Sequence, residues 1–165
     1  MTTTFTIRRA QPGDEPTLRE LRIAALTDTP LAFSSTLERE IRRTDENLRT
    51  WIAPPCVTFI LESAEQKPCG IVAGLYNKSE PRRATLASMW VHPSQRGTGA
   101  ARQLIASIQR WAAESQIRDL VLLVNEHNPI ARGCYERVGF QYTGHRGINP
   151  ANGEHEIEML YAVPF

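Results

Sequence analysis

The sequence predicts a mixed α/β (α+β) fold in a single domain that spans residues 1–165. The length of 165 residues and the 41% hydrophobic content suit one hydrophobic core. Short β-rich apolar runs alternate with amphipathic segments of helical period along the chain. The predicted order of elements is β-α-α-β-β-β-α-β-α-β-β, with an antiparallel meander in the first half and a strand-helix-strand unit in the second.

The first half begins with a strand and continues with two helices. Residues 4–9 alternate apolar and polar side chains, and the turn at residues 11–14 ends in Asp14, which can cap a helix. Residues 35–38 have the Ser-x-x-Glu form of a capping box, which predicts one second helix running to Trp51. Its apolar side chains are Leu37, Ile41 and Leu48. Three apolar runs, 56–61, 70–76 and 82–91, then predict the meander.

The second half contains the clearest helix. Apolar residues recur at helical intervals from Ala101 to Ala112, and the continuously apolar run 120–124 predicts a strand that is covered on both faces. A further helix starts near Asn128 and ends at Gly139-Phe140. Residues 140–143 and 154–161 predict two last strands, which the turn-forming loop 147–153 joins.

Composition excludes several classes of protein. The chain has 19 Lys and Arg against 18 Asp and Glu, so its net charge of +1 gives no basic field for nucleic acid or an anionic membrane. The three cysteines are scattered, which argues against a disulfide framework or a zinc site. The sequence has no leader-like or membrane-spanning stretch, so we expect a cytoplasmic protein. We also expect no bound metal.

A glycine-rich turn precedes the clearest helix. Gly97 and Gly99 leave room for a phosphate to approach several backbone amides, Thr98 can add a hydroxyl donor, and Ala100 and Ala101 stay small. Arg96 and Arg102 can supply positive charge. The alternative is a tight turn without a ligand. The sequence is neither a P-loop nor a dinucleotide fingerprint, because the Gly-Lys-Ser/Thr ending and a third glycine are missing.

Two motifs in order resemble the GNAT superfamily of acyl-CoA-dependent N-acyltransferases. The first is Arg96-Gly97-Thr98-Gly99-Ala100-Ala101, which follows Val91-His92-Pro93. The second combines Asn128, Ala131, Tyr135-Glu136 and Gly139-Phe140. The resemblance covers about residues 87–140, and the order of elements extends it over the chain. It implies a sheet whose two central parallel strands splay apart and hold acetyl-CoA between them.

The resemblance also implies where acetyl-CoA binds. The strand residues Met89, Trp90 and Val91 would pair with the pantetheine arm, and residues 97–102 would hold the pyrophosphate. Asn128 and Tyr135 lie two helical turns apart, so one would contact the arm and the other the thioester sulfur. The implied cofactor-binding residues are Met89, Trp90, Val91, Arg96, Gly97, Thr98, Gly99, Ala100, Ala101, Arg102, Asn128, Ala131 and Tyr135.

The implied reaction is direct attack of an amine on the thioester in a ternary complex. Tyr135 would be the general acid for the leaving sulfur, whereas the adjacent Cys134 lacks a His partner and is not expected to be a nucleophile. Many relatives carry a glutamate on the strand before the phosphate turn, and residues 85–90 contain none. The candidates for the base are therefore a carboxylate of the second helix, Glu40 before Glu38, or a water held by Ser88 or by backbone carbonyls.

The acceptor is expected to be a primary amine of a small molecule or a peptide. The resemblance assigns its specificity to residues 31–51 and 144–156, where mixed charges do not select one amine. A longer acyl chain and a non-catalytic acyl-CoA-binding or regulatory module remain alternatives. The last strand, with Ile157, Met159, Leu160 and Tyr161, could support a homodimer.

Overall fold

The computed structural model describes residues 4–165. Within these residues, seven strands form one sheet, which is accompanied by five α-helices. The strands are β1 (Phe5–Arg9), β2 (Val57–Ser63), β3 (Pro68–Tyr76), β4 (Arg83–Val91), β5 (Asp119–Asn125), β6 (Gln141–Ile148) and β7 (His155–Ala162). The helices are α1 (Glu15–Asp28), α2 (Leu37–Arg42), α3 (Asp45–Ile52), α4 (Ala100–Glu114) and α5 (Pro129–Arg137). The mixed α/β fold class is thereby confirmed.

The strand order is β1-β2-β3-β4-β5-β7-β6. Neighbouring strands are antiparallel except β4 and β5, which are parallel. The pairing of β4 with β5 runs only from Arg83 opposite Asp119 to Thr85 opposite Val121. Beyond Thr85 no register pair joins the two strands within the described residues, so a gap opens between their carboxyl ends.

A bulge in β4 lies beside this gap. Ile71 of β3 pairs with Trp90 and Ala73 pairs with Ala87, so two residues of β4, Ser88 and Met89, stand opposite one residue of β3. Ser88 has a φ of 55°, an uncommon conformation for a residue with a side chain. An extra residue of this kind bends a strand and increases its twist, which turns the end of β4 away from β5.

Two hydrophobic cores lie on opposite faces of the sheet. Leu104, Ile108 and Trp111 of α4 pack in the larger core, and α1 and α3 pack around Ile71 and Trp90 in the smaller one. The approach of α4 is so close that a Cβ added at Gly74 would lie 2.5 Å from the Trp111 ring. The helices thus fix β3 and β4 from both sides and leave the gap as the open part of the sheet.

The predicted second helix is two helices, so that prediction was wrong in detail. Arg43 is extended (φ −66°, ψ 130°), and Thr44 caps α3 by accepting a hydrogen bond from the Asn47 amide at 3.2 Å. Thr36, rather than Ser35, caps α2, since its hydroxyl accepts a hydrogen bond from the backbone amide three residues later. Because α2 lies at the surface, Leu37 and Ile41 are exposed rather than packed.

The last hairpin is longer than predicted, and β7 is an inner strand between β5 and β6. Ile157 and Met159 are 2% and 0% exposed and belong to the larger core. These two side chains are therefore not free to form the dimer contact that the sequence suggested. Among the residues from 4 onward, no helix is long and apolar enough to cross a membrane.

Candidate active site

A cavity of about 720 Å³ occupies the gap between β4 and β5. We call it the first cavity. Tyr135 of α5 lines one side, and Phe33 and Thr29, from the segment that follows α1, line the other. All the cofactor-binding residues implied by the sequence line it except Thr98. The two motifs, which lie about thirty residues apart in the sequence, therefore meet at one site.

The glycine-rich turn presents free backbone amides to this cavity. Gly97 and Gly99 have φ values of 76° and 85°, which favour glycine, and a Cβ at either position would meet no atom within 4 Å. The glycines are therefore required by backbone conformation rather than by crowding. In the part of the chain that the structure describes, none of the six successive amides of residues 97–102 has a hydrogen-bond acceptor. Such a set of N–H groups at a helix start is typical of phosphate sites.

Two polar side chains of the turn have other partners than we predicted. The Thr98 hydroxyl donates a hydrogen bond to the Gln95 carbonyl at 2.6 Å, and Thr98 does not line the first cavity. The Arg96 guanidinium donates to the Val91 carbonyl at 3.1 Å and forms an ion pair with Asp28. Hydrogen bonds from Trp90 and Arg96 hold the pKa of Asp28 below its ordinary value. The positive charge of Arg96 is thus already balanced by the protein.

Two other arginines keep their charge available. Arg102 and Arg137 are exposed and line the first cavity, and neither has an ion-pair partner among residues 4–165. Sequence reasoning identified Arg102 from the turn but missed Arg137, which reaches the site from the last turn of α5. The Gln95 side-chain oxygen at the same cavity is buried and has no hydrogen-bond donor in the described chain. The site therefore offers unpaired cations and an unpaired acceptor.

Met89 of the bulge and the next two residues of β4, Trp90 and Val91, line the first cavity, as predicted. The Trp90 indole nitrogen donates a hydrogen bond to Asp28 at 3.0 Å, which anchors this strand to the end of α1. The edge of β4 that faces β5 has no pairing strand here. An extended molecule with amide groups can pair with such an edge as an added strand would.

Asn128 caps α5 instead of lying within it. Its side-chain oxygen accepts a hydrogen bond from the Ala131 amide at 3.1 Å, so the helix begins at Pro129. Asn128, Ala131 and Tyr135 nevertheless all line the first cavity. The Asn128 side-chain N–H groups have no acceptor within the described residues and remain available to a ligand.

Tyr135 is 9% exposed, and its ring packs edge-on against Phe140 with the ring centroids 5.7 Å apart. Burial raises the pKa of the Tyr135 phenol well above its ordinary value of 10. The hydroxyl makes no hydrogen bond to any described residue. A phenol in this state keeps its proton at neutral pH and can donate it. Burial also raises the pKa of the neighbouring Cys134 thiol, which argues against a thiolate nucleophile.

Glu40, a predicted base, lies in a buried ion-pair cluster away from the first cavity. Arg22 donates to both of its oxygens at 2.7 and 2.9 Å, Arg43 donates at 2.9 and 3.0 Å, and the Ser35 hydroxyl donates at 2.6 Å. Burial pushes the pKa of Glu40 upward, but these hydrogen bonds outweigh burial and lower the pKa from 4.5 to about 2. These contacts argue against a base, because every lone pair is engaged.

Ser88, the predicted holder of a water, is tied to the same cluster. The Arg22 guanidinium donates a hydrogen bond to the Ser88 hydroxyl and also stacks on Trp51, 4.1 Å from the ring centroid. Ser88 does not line the first cavity. The cluster therefore joins α1 and α2 to the bulge of β4 and holds the bent strand in place.

A second cavity of about 400 Å³ lies on the sheet beside the first. Its lining residues are Arg83, Leu123, His145, Arg146, Gly147, Glu156 and Glu158. Leu123 lines both cavities, so they adjoin across β5. Most of these residues come from β6 and β7, which the resemblance only outlined as an acceptor region.

Two asparagines join the loop between β6 and β7 to the segment after α1, and Asn125 at the end of β5 binds the same segment. Asn149 donates to the Phe33 carbonyl at 3.1 Å, and Asn125 and Asn152 each donate to the Leu31 carbonyl at 3.3 Å. Asn149 is 3% exposed. The two segments that the sequence assigned to the acceptor therefore form one continuous wall.

No group of three or more His, Cys, Asp or Glu side chains within residues 4–165 is arranged to hold a metal ion. The groups around the first cavity are backbone amides, arginines and the protonated phenol of Tyr135. These groups fit a long anionic molecule whose polar end lies at residues 97–102 and whose other end reaches Tyr135.

Sequence and structure comparisons show which proteins this chain is similar to. Residues 18–140 match the model of the acetyltransferase (GNAT) family. The chain is 36% identical over 77 residues to the uncharacterized N-acetyltransferase YycN of Bacillus subtilis, a match that covers 44% of this chain and 49% of the relative. It is 34% identical over 58 residues to an aminoglycoside N(6')-acetyltransferase type 1 of Salmonella typhimurium, covering 35% and 40%. The matched regions thus span less than half of these relatives.

Among solved structures, the fold is similar to that of spermidine N-acetyltransferase from Vibrio cholerae in complex with CoA and spermine. The TM-score is 0.73 at 19% sequence identity, with 96% of this chain and 95% of the other covered. This likeness concerns the fold. Since the family model covers most of the sequence, including both motifs, the chain belongs to the acetyltransferase (GNAT) family.

Proposed function

We propose that this protein is an N-acetyltransferase that transfers an acetyl group from acetyl-CoA to a primary amine of a small molecule or peptide. The observation that carries the proposal is the first cavity, which joins free amides at one end to the unbonded hydroxyl of Tyr135 at the other. Family membership supports the same reaction class.

Acetyl-CoA fits the groups that line the first cavity. The amides of residues 97–102 would bind the pyrophosphate, and Arg102 and Arg137 would neutralise phosphate charge. The edge of β4 at Met89 to Val91 would pair with the amides of the pantetheine arm. Gln95 supplies a buried acceptor that still lacks a donor.

The proposed reaction is direct attack by the amine, without a covalent enzyme intermediate. The gap between β4 and β5 would align the thioester carbonyl, and alignment alone lowers the barrier substantially. Tyr135 would then protonate the departing sulfur, since its raised pKa keeps the phenol neutral until the thiolate forms.

We propose that the acceptor is a small cation that resembles a polyamine or an amino sugar, in preference to a peptide. Of the two glutamates in the second cavity, Glu158 pairs with Arg83, and Glu156 has no partner among the described residues, so its carboxylate is available to attract an ammonium group. The named relatives include an aminoglycoside acetyltransferase, and the Vibrio cholerae enzyme was solved with spermine. These names support the choice of amines to test.

Calorimetry with acetyl-CoA and with CoA tests the first half of the proposal. We expect binding at micromolar concentration, and an affinity weaker than millimolar would refute it. Turnover is measured separately as CoA thiol release with spermidine, kanamycin and an alanine-ended peptide. Mass spectrometry of the amine then confirms acetylation.

A second candidate function is a non-catalytic acyl-CoA-binding or regulatory module. It is favoured by two observations: β4 carries no carboxylate, and Glu40 is engaged in ion pairs. A module of this kind would bind acetyl-CoA in calorimetry but release no thiol above the rate of spontaneous hydrolysis with any amine.

A further inference from the structure

One buried carboxylate in the described chain has no partner. Glu156 of β7 is 8% exposed and lines the second cavity. No hydrogen bond or ion pair within residues 4–165 reaches its side chain. Its oxygens keep some exposure to the cavity, since they are not among the fully buried unpartnered atoms of the described chain. A carboxylate on a side chain with so little exposure is nevertheless normally paired, because even partial removal of a charge from water is costly. An unpaired one at a cavity is therefore a candidate for binding a cationic ligand.

The sheet register places Glu156 next to the first cavity. It lies directly opposite Asn125 of β5, and Asn125 lines the first cavity. Directly paired residues of antiparallel strands lie on the same face, with Cβ atoms about 5 Å apart. Leu123, two residues before Asn125, lines both cavities. An amine bound at Glu156 would thus lie one strand away from the site proposed for the thioester.

The other charges around the second cavity are already balanced. Arg83 of β4 pairs with Glu158 of β7 at 2.9 Å. Arg146 of β6 forms an ion pair with Glu126, and His145 of β6 is exposed. No cation is left to neutralise Glu156 among the described lining residues. Burial accordingly raises the pKa of Glu156 above its ordinary value.

We propose that Glu156 is the general base of the transfer reaction and the group that binds the ammonium of the acceptor in the second cavity. This inference rests on the proposed function. It supplies the carboxylate that β4 lacks, from a strand on the other side of the gap. It also selects the acceptor, because an amine that is protonated in solution gains an ion pair there and a neutral hydroxyl compound does not.

The proton transfers balance. The ammonium loses one proton to Glu156, and its nitrogen then attacks the thioester carbonyl, so that the C–N bond forms and the C–S bond breaks. Tyr135 gives its proton to the sulfur, and the surplus proton on the new amide nitrogen returns to the Tyr135 phenolate. Glu156 releases its proton to water. The products are the acetylated amine, the CoA thiol and one proton.

The test compares the full-length wild type with Glu156→Gln, using spermidine, kanamycin and an alanine-ended peptide as acceptors. We expect kcat at pH 7 to fall by about 100-fold or more, the usual contribution of a general base. The dissociation constant of acetyl-CoA, measured by calorimetry, should stay within about twofold, because Glu156 does not line the first cavity. Glu114→Gln, the same change at an exposed position at the end of α4, is the matched control and should retain wild-type kcat.

The pH profile separates a base from a structural residue. A free amine loses its proton unaided at alkaline pH, so the ratio of wild-type to Glu156→Gln activity should shrink from about 100-fold at pH 7 to below about 10-fold near pH 10. If Glu156→Gln does not fold, Glu156→Asp carries the test. Glu156→Asp keeps the carboxylate on a shorter side chain. We expect its kcat at pH 7 to fall less than that of Glu156→Gln, and the ratio of wild-type to variant activity to decrease at high pH in the same way.

The outcomes are distinct. Wild-type protein that binds acetyl-CoA but acetylates none of the amines overturns the proposed function, and this inference with it. Wild-type protein that acetylates an amine while Glu156→Gln keeps kcat within about twofold at every pH leaves the proposed function standing and overturns the role of Glu156. A loss in the variant that is equal at all pH values would also overturn the role of base.

Discussion

Replacing Tyr135 by Phe removes one hydroxyl from the first cavity and leaves the aromatic ring in place. The ring contact with Phe140, at 5.7 Å between centroids, does not depend on the hydroxyl. The hydroxyl has no hydrogen-bond partner among the residues described. We therefore expect the free energy of unfolding to change by less than about 1 kcal/mol, since no protein hydrogen bond is lost.

The effect on turnover should be much larger. A positioned general acid contributes about 10²–10⁴-fold, which corresponds to about 2.7–5.4 kcal/mol of the activation barrier at 1.36 kcal/mol for each factor of ten. Acetyl-CoA affinity should change little, because the cavity keeps its amides and arginines. The expected signature is a lower kcat with an almost unchanged dissociation constant.

The assay follows thiol release with a chromogenic thiol reagent and saturating acetyl-CoA. Tyr161→Phe is the matched control, because Tyr161 also packs on Phe140, at 5.6 Å, but does not line the first cavity. Its turnover should equal that of the wild type. A Tyr135→Phe variant that turns over at the wild-type rate, or that loses no more activity than Tyr161→Phe, would remove Tyr135 from the role of acid.

Three further predictions concern the turn, the charges and the ion-pair cluster. Gly99→Ala forces a side chain onto a backbone with φ 85°, at a cost of about 1–2 kcal/mol, so both the melting temperature and the acetyl-CoA affinity in calorimetry should fall; unchanged affinity would contradict the phosphate site. Arg137→Ala should weaken acetyl-CoA binding about tenfold at low salt and less at 1 M salt, while exposed Arg110→Ala should have no effect. Because the pKa of Glu40 is lowered from 4.5 to about 2, its ion pairs should add about 3 kcal/mol of stability above pH 4.5 that is lost as the pH falls toward 2. Urea unfolding between pH 6 and pH 2 should therefore show a shallower pH dependence for Glu40→Gln than for the wild type, and parallel curves would exclude the effect.

The local patterns predicted the elements well where one periodic run made one element. The stripe of α4 and the strand β5 were recognisable because their apolar residues repeat with a helical period or form one continuous run. The expectation that this run is covered on both faces was wrong at Leu123, which is 53% exposed. The break between α2 and α3 was not recognisable from the sequence, because it depends on tertiary contacts. Arg43 leaves the helical conformation and points its guanidinium back to Glu40, which is itself fixed by Arg22 from another helix.

The conformation of the glycine-rich turn was predictable because its requirements are local: positive φ values and adjacent amides. The pairing of the charged residues around this turn was not predictable from the sequence. Arg96 and Asp28 are far apart in sequence, and only the fold reveals that they neutralise each other. Arg137 looked like an ordinary cation at a helix end, yet α5 brings it to the same cavity as Arg102.

The carboxylate of Glu156 illustrates the same limit. The alternation of polar and apolar residues in β7 puts Glu156 on the face opposite Ile157, and this much follows from sequence. Its burial does not, because that depends on the order β5-β7-β6, which makes β7 an inner strand. Glu156 is therefore flanked by β5 and β6 and is only 8% exposed.

The short pairing of β4 with β5 makes this sheet two half-sheets held by a narrow seam. Only the register pairs from Arg83 to Thr85 connect the two strands directly, while β1–β4 and β5–β7 are each extensively paired. A ligand that forms hydrogen bonds along the gap between β4 and β5 would connect the two half-sheets where they do not pair directly. Thermal unfolding of the two halves should then be more cooperative with acetyl-CoA than without it. Acetyl-CoA should slow hydrogen exchange most at the backbone amides of the last residues of β4.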